Sequence, residues 1–429
     1  MEKFIIGGGH PLEGEILPSG NKNAALPLLA ACLLTDQPVI LHNLPDIKDV
    51  ETMRMLLESL GVELNLVNNH TWRIHAAQVR PADLDPDLCR KIRASILLAG
   101  PMVARTGELL LPPPGGDVIG RRRVDSHILA LSSLGAEAEF DRSQKVFRFT
   151  AGQLNGANII LDEASVTATE NAIMAAVTAN GETVLRNAAS EPHIQELCHF
   201  LNKLGGRIEN IGSNTLHIHG VPSLDGGEFS IGPDYLEVVS FIGAAVVTKG
   251  SIRICKAAPE HLDMIAGVFG RLGVSWEVEG KDLLVPAEQE LCIEPDLGGA
   301  IPEISVMPWP AFPTDLMSIA IVVATQSSGS ILFHDWMYPS RMFFIDKLVN
   351  MGAQIVLCDP HRSIVQGPTR LYAETMESPD IRAGMAMVLA ALAANGQSEI
   401  RNVGQIDRGY EKIDKKLRAL GARIERVKE

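Results

Sequence analysis

Aromatic residues are scarce in this chain of 429 residues, at 5%, so its cores have to be built chiefly from Ala, Val, Leu, Ile and Met. Cysteines are few and scattered, at positions 32, 89, 198, 255, 292 and 358, with no Cys-x-x-Cys pair among them. That spacing argues against a structural zinc site and against a disulfide framework. Basic residues are in deficit, 38 Lys and Arg against 52 Asp and Glu, for a formal charge of −14. A nucleic-acid or anionic-membrane binder does not fit that balance. Long hydrophobic runs are missing too: stretches such as 383–394 are too short or too interrupted to span a bilayer. The opening residues, Met1 to Gly9, hold only a three-residue apolar run, and no secretory leader is expected. What is present is a globular composition, 46% apolar and 21% charged, long enough for two or three domains with large cores. The expected setting is the cytoplasm.

Repetition is the strongest pattern. An amphipathic segment that ends in a Leu-Gly or Met-Gly turn and runs into a short strand occurs six times, with its turn glycine at 61, 135, 205, 273, 352 and 421. Each glycine stands where a helix C-terminus takes the left-handed conformation. In phase with it run six segments without a polar face, at 24–34, 94–104, 170–179, 237–247, 315–324 and 381–393. A helix that is apolar all round is buried, and many Ala, Gly and Ser residues let such helices approach closely. Each leads to a short strand, at 39–43, 108–112, 183–187, 251–255, 330–334 and 399–402. The repeat is therefore buried helix, strand, amphipathic helix, strand, recurring every 68 to 79 residues. Ordinary α/β folds bury the sheet, whereas here one helix of each unit is inside. The expected fold class is α/β, with six units divided between two domains of three and the chain crossing near 222–227.

The chemistry gathers where the chain feeds the apolar helices. These starts are Gly20-Asn21-Lys22-Asn23, Arg90-Lys91-Ile92-Arg93, Ser165-Val166-Thr167-Ala168-Thr169-Glu170, Pro233-Asp234-Tyr235-Leu236-Glu237, Pro313-Thr314-Asp315 and Ser378-Pro379-Asp380-Ile381-Arg382. A helix start presents free N–H groups and a positive dipole end, which suit an anion. Ser, Thr and Asp there serve more often as N-caps than as ligands. Lys22, Arg93 and Arg382 differ, because a cation at a helix start opposes the dipole and costs stability unless an anion joins it. Three such starts aimed at one cleft between domains would favour phosphate despite the acidic total.

The segment Pro112 to Asp125 opens with three prolines and three glycines within nine positions, so it is a turn or a hinged lid rather than a helix. Its Gly115-x4-Gly120 spacing imitates a phosphate-binding P-loop, but Arg121-Arg122 stand where Lys-Ser/Thr is required. The run Arg121-Arg122-Arg123 is either a solvated surface run or, beside a loop bearing Asp117, an anion clamp with an acid on the lid. His217 and His219 share one strand face without an evident acidic partner and read as structural. Asp359-Pro360-His361-Arg362 reads as a hairpin turn, and Gly7-Gly8-Gly9 lacks dinucleotide-binding spacing.

Seven segments in order, SGNKNAALPLLAA (19–31), IRASILLAGPMVAR (92–105), PPGGDVIGRRRVDSH (113–127), ASVTATENAIMAA (164–176), FPTDLMSIA (312–320), SPDIRAGMAMVLAALA (378–393) and IDRGYEKIDKKLRALGARIERV (406–427), carry a resemblance. The chain resembles the UDP-N-acetylglucosamine 1-carboxyvinyltransferases, enolpyruvyl transferases of the EPSP synthase superfamily, from Gly14 to the C-terminus. The resemblance implies two inside-out α/β domains, 22–229 with the lid loop 112–125, and 1–21 with 230–429, and an active site in the cleft between them. It implies transfer of the enolpyruvyl group of phosphoenolpyruvate to the 3′-hydroxyl of UDP-N-acetylglucosamine with release of phosphate, the first committed step of peptidoglycan precursor synthesis. It further implies that Lys22, Arg122 and Arg408 hold the phosphate of phosphoenolpyruvate, with Arg93, Arg341 and Arg382 in the surrounding charge clamp. Asn23 would contact the amino sugar and Asp315 would accept the 3′-hydroxyl proton. Ser165, Val166 and Thr167 would meet the UDP diphosphate, Arg122, Arg123, Val124 and Asp125 would lie beside the uracil, and Asp380 would be a further polar participant. Asp117 on the lid would protonate C3, completing a catalytic set of Lys22, Asp117, Asp315 and Arg408. No metal or cofactor is implied, because guanidinium groups supply the charge. The implied partners are the two small-molecule substrates, without nucleic acid or membrane.

The chain departs from the family pattern at several points. Many members carry Cys where Asp117 stands; Pro, Arg and Gly are commoner at Arg123, Tyr235 and Thr167, and Asn-Arg-Phe at Ser340-Arg341-Met342. A carboxylic acid still donates a proton but does not open an epoxide as a thiolate does, which implies insensitivity to fosfomycin. Two other readings remain: an enolpyruvyl transferase for a different nucleotide or nucleoside acceptor, and a catalytically dead paralogue. Asn23 and Asp315 favour the amino sugar, and the retained charged set argues against a dead paralogue.

Overall fold

A computed structural model of the chain describes residues 2–81, 84–117, 119 and 123–428. The segments without a polar face form the helices Lys22–Ala31, Ala99–Thr106, Val166–Ala176, Tyr235–Thr248, Met317–Ala324 and Ile381–Ala393. Every residue of Tyr235–Thr248 and of Met317–Ala324 is buried, which is what a helix lacking a polar side demands. Two of the six open on a tighter 3-10 stretch, Arg93–Leu98 and Thr314–Leu316, where the apolar pattern predicts continuous helix. Pro101 supplies the reason in the first case, since it has no N–H with which to continue α-type bonding into the preceding turn.

The amphipathic segments form Lys48–Ser59, Asp125–Ser133, Pro192–Lys203, Asp263–Gly270, Ile345–Asn350 and Ile413–Ala419. All six turn glycines that follow them take φ between 81° and 100°. Any other residue pays a steric penalty there, which explains the fixed glycine.

Each sheet is richer than the two strands per repeat read from the sequence. Asn158–Ile160 precedes the helix Val166–Ala176 and pairs in parallel with Glu182–Arg186, the strand after it. Glu182–Arg186 then pairs antiparallel with Thr215–His219, which pairs with Arg207–Glu209. Among the described residues five sheets have four strands and one, Glu108–Leu111 with Val146–Thr150 and Glu137–Asp141, has three. The leading strands escape sequence reading because pieces such as Asn158–Ile160 or Thr375–Glu377 are too short to show a period of two. The antiparallel ladder also supplies partners that spacing does not reveal: His217 Nδ1 lies 3.0 Å from Glu182 and His219 Nε2 lies 3.8 Å from Glu209.

The chain falls into two compact units. One holds Gly20–Asp117 and the chain up to Gly232; the other holds the chain up to Ser19 and from Pro233 onward. Strand Glu2–Gly7 completes the second unit's last sheet between Gln397–Arg401 and Arg423–Lys428. Leading strands are exchanged along the sequence: Glu13–Ile16 serves Ser251–Ile254, and Gly227–Ser230 serves Val39–His42. Each unit has its own continuous core around its three apolar helices. Among the described residues no helix is long and apolar enough to cross a membrane.

Candidate active site

In the unit that begins at Pro233, three buried helix starts come together. Asp234 caps Tyr235–Thr248 by accepting from the N–H of Leu236 at 2.9 Å, and Asp380 caps Ile381–Ala393 by accepting from Arg382 and Ala383 at 2.8 and 2.9 Å. The far ends of the three helices gather around a recess lined by Thr248, Lys249, Gln326, Ala393 and Asn395. The helices therefore run parallel, and their positive dipole ends share one side. Asp315 sits on that side in the turn Thr314–Leu316. Its carboxylate accepts from Arg341 Nη2 at 2.8 Å and from Arg382 Nε at 3.2 Å. Both arginines are buried, at 3% and 5% exposure. Burial acts to lower the Arg382 value, but Asp315, Tyr410 and Asp234 outweigh it, so the guanidinium stays charged. Asp335 shores up the same turn by accepting from Thr314 Oγ1 at 2.5 Å. Arg408 closes the turn Val403–Arg408, half-buried, with Nη1 donating to Gln405 at 3.0 Å.

In the other unit Lys22 is the first residue of its helix, capped by Asn21, whose side chain accepts from the N–H of Asn23 at 2.8 Å. Lys22 is buried and its Nζ lies 2.7 Å from Asp49 Oδ2. A side chain thus supplies the anion that the sequence reading reserves for a ligand. Arg93 opens its 3-10 turn and donates from Nη2 to the carbonyl of Arg123 at 2.6 Å. Arg123 donates from Nε to Asp125 at 2.8 Å, and Val124 precedes the helix Asp125–Ser133, so Arg93, Arg123, Val124 and Asp125 form one group. Arg122 lies outside the described residues.

Ser165 stands at the N-cap position of Val166–Ala176 but makes no side-chain cap bond. Its helix start therefore offers N–H groups to an anion, whereas Asp234 and Asp380 spend their carboxylates on their own helices. Thr167 Oγ1 lies 3.1 Å from His127 Nε2, and His127 Nδ1 lies 2.9 Å from Asn171 Nδ2. Asn171 accepts through Oδ1 from Gly100 N–H at 2.7 Å and donates through Nδ2 to Ile96 C=O, which fixes its amide orientation. Nδ2 is a donor, so His127 Nδ1 accepts and Nε2 carries the proton toward Thr167. Burial, with Arg93 nearby, pushes His127 down to about 3, and the ring is neutral. One neutral histidine thereby joins two of the predicted binding segments.

Asp117 follows Gly115 and Gly116, whose N–H groups donate to the carbonyls of Cys89 and Arg90 at 3.1 and 3.3 Å. A Cβ at Gly115 would lie 1.7 Å from the Arg90 carbonyl, so the loop is pinned where only glycine fits. Residues 112–117 have no regular secondary structure, and three residues separate the strand Glu108–Leu111 from Gly115, which bears against a P-loop.

Sequence reasoning missed Asp49, His127 and Tyr410, which touch Lys22, Thr167 and Arg382, and Asn171 and Ser240, which in turn bond His127 and Tyr410. Glu170, which the sequence places in the third helix start without a role of its own, is a carboxyl of 1% exposure whose Oε1 has no hydrogen-bond partner. Burial and the neighbouring Glu191 raise its value well above the carboxylate range. None of these is announced by spacing, because each partner comes from another element.

The chain matches the family model described as EPSP synthase (3-phosphoshikimate 1-carboxyvinyltransferase) over residues 6–417. It is 57% identical over 428 residues to the UDP-N-acetylglucosamine 1-carboxyvinyltransferase of Bradyrhizobium diazoefficiens, covering 100% of this chain and 98% of that one. It is 53% identical to the enzyme of the same name from Treponema denticola, with 99% of each chain covered. Among solved structures it superposes on the enolpyruvyl transferase NikO from Streptomyces tendae with a TM-score of 0.88 at 23% identity, covering 99% of both chains. It superposes on an EPSP synthase from Acinetobacter baumannii with a TM-score of 0.74 at 16% identity, covering 100% of both. These two likenesses speak to the fold.

Proposed function

The chain belongs to the EPSP synthase family, and we propose its reaction from that premise. It transfers the enolpyruvyl group of phosphoenolpyruvate to the 3′-hydroxyl of UDP-N-acetylglucosamine and releases phosphate. The full-length relatives of that name support this acceptor over another nucleotide. The observation that carries the chemistry is the Asp315 carboxylate gripped by two buried guanidinium groups at the start of a parallel helix bundle. In this reading the reaction supplies peptidoglycan precursors in the cytoplasm.

Within it we assign Asp315 as acceptor of the 3′-hydroxyl proton. Arg341 and Arg382 are assigned to the anionic substrate and to fixing the orientation of the Asp315 carboxylate toward the sugar hydroxyl. Attack of the sugar oxygen on C2 with protonation of C3 gives a tetrahedral centre, which then expels phosphate. Asp117 is assigned as the acid toward C3, standing opposite the base in the chemistry. Lys22, Arg93, Arg122 and Arg408 are assigned to the phosphate and carboxylate of phosphoenolpyruvate, where fixed cations stabilise the charge that moves in the transition state. Asn23 is assigned to the amino sugar, the start of Val166–Ala176 with Ser165 and Thr167 to the diphosphate, and Arg123, Val124 and Asp125 to the uracil. Asp380, whose carboxylate caps Ile381–Ala393, is assigned as a further polar participant.

The test is phosphate release from phosphoenolpyruvate with UDP-N-acetylglucosamine as sole acceptor. Folded protein that releases phosphate only with a different nucleotide overturns the acceptor, and folded protein inactive with every acceptor overturns the reaction.

A further inference from the structure

Ser240, Arg382 and Tyr410 come from three elements: the helices Tyr235–Thr248 and Ile381–Ala393, and the turn that follows Val403–Arg408. All three are buried. Arg382 Nη1 lies 3.4 Å from Tyr410 Oη, and its guanidinium carbon stands 5.7 Å from the centre of the Tyr410 ring. Tyr410 Oη is 2.9 Å from Ser240 Oγ, which is 2.8 Å from the Leu236 carbonyl. The ends of this chain dictate its direction. A guanidinium only donates and a carbonyl only accepts. Arg382 therefore donates to Tyr410, Tyr410 to Ser240 and Ser240 to Leu236. The approach of these elements is close by construction: a Cβ at Gly409 would stand 2.5 Å from Ile381, and one at Gly384 would stand 2.7 Å from Ile406.

We propose that Tyr410 is a positioning residue for the reaction: its ring and hydroxyl, oriented by Ser240, hold the Arg382 guanidinium with its other nitrogens on Asp315. The other edge of the same arginine, Nε and Nη2, reaches Asp315 at 3.2 Å. Tyr410 touches neither substrate in this scheme. It acts by keeping the Arg382 fork from swinging off the proton acceptor, and so rests on the enolpyruvyl-transfer reading given above. A network that links backbone, two hydroxyls and an arginine in a dry interior fixes geometry better than a solvated pair does.

The experiment measures phosphate release by the full-length chain, with the parent beside Tyr410→Phe, Ser240→Ala and the pair. Tyr410→Phe is expected to lower kcat roughly ten- to a hundredfold, the scale for losing one hydrogen bond to a charged group. The KM for UDP-N-acetylglucosamine and the thermal midpoint should stay near the parent values. Ser240→Ala should show a smaller loss of the same kind, and the pair should lose no more than Tyr410→Phe alone, because the hydroxyls act in series. Parent-like kcat in Tyr410→Phe, additive losses in the pair, or a loss that tracks unfolding overturns the proposal. Absence of phosphate release by the folded parent overturns the reaction itself, and the proposal falls with it.

Discussion

The Lys22 ammonium lies 2.7 Å from the Asp49 carboxylate, with the two side chains 10% and 5% exposed. The lysine opens a helix whose dipole opposes its charge, and the helix Lys48–Ser59 delivers the acid that offsets it. Removing Asp49 weakens the compensation of a buried ammonium, so Asp49→Ala should destabilise the fold in chemical denaturation by up to about 3–5 kcal/mol. Replacing both, as Lys22→Met with Asp49→Leu, should restore stability to within about 1–2 kcal/mol of the parent while phosphate release stays lost. Turnover near the parent rate in that pair would remove Lys22 from the phosphate clamp.

His127 predicts the response to acid. Its folded value is depressed from the ordinary 6.5 to about 3, so the unfolded chain binds the extra proton in that window. The stabilisation is whole above 6.5 and is lost as pH falls toward 3, at up to about 1.4 kcal/mol per pH unit. His127→Gln removes that contribution. Its unfolding free energy should decline less steeply than the parent's between pH 6 and 4 (about two units inside the window); equal slopes would show that the ring does not titrate on unfolding.

Glu170 predicts the opposite sign. Its folded value is raised, first by burial and then by Glu191, so the folded chain holds a proton that the unfolded chain gives up. Stability from this group is present below the ordinary value of 4.5 and falls as pH rises above it. Glu170→Gln should therefore gain on the parent with rising pH, by at most about 1.4 kcal/mol per unit. The comparison is made by denaturant titration at pH 5 and pH 8 (roughly the span over which a raised carboxyl acts). A constant offset between the two proteins would mean that Glu170 ionises in the fold.

Asp117 predicts a drug response. The parent should retain phosphate release in fosfomycin, because a carboxylate is a poor nucleophile toward the epoxide compared with a thiolate. Asp117→Asn should abolish turnover, and Asp117→Cys should keep part of it and become sensitive. Inactivation of the parent at micromolar drug, or near-normal turnover of Asp117→Asn, removes the lid acid from the scheme.

What the sequence determined by itself is the part governed by local period. The six glycines after the amphipathic helices and the six helices lacking a polar face specify the repeat and the inside-out layering, because both rest on neighbours within a few turns. Seven ordered motifs carry the family. What only tertiary structure decided is which charges answer one another. Lys22 meets Asp49, Arg382 meets Asp315 and Tyr410, and His127 takes its tautomer from Asn171, through contacts between elements far apart along the chain. The three-residue leading strands were equally illegible, since a strand of that length acquires its identity from the ladder it joins. Local periodicity places elements, and packing assigns each buried charge its partner.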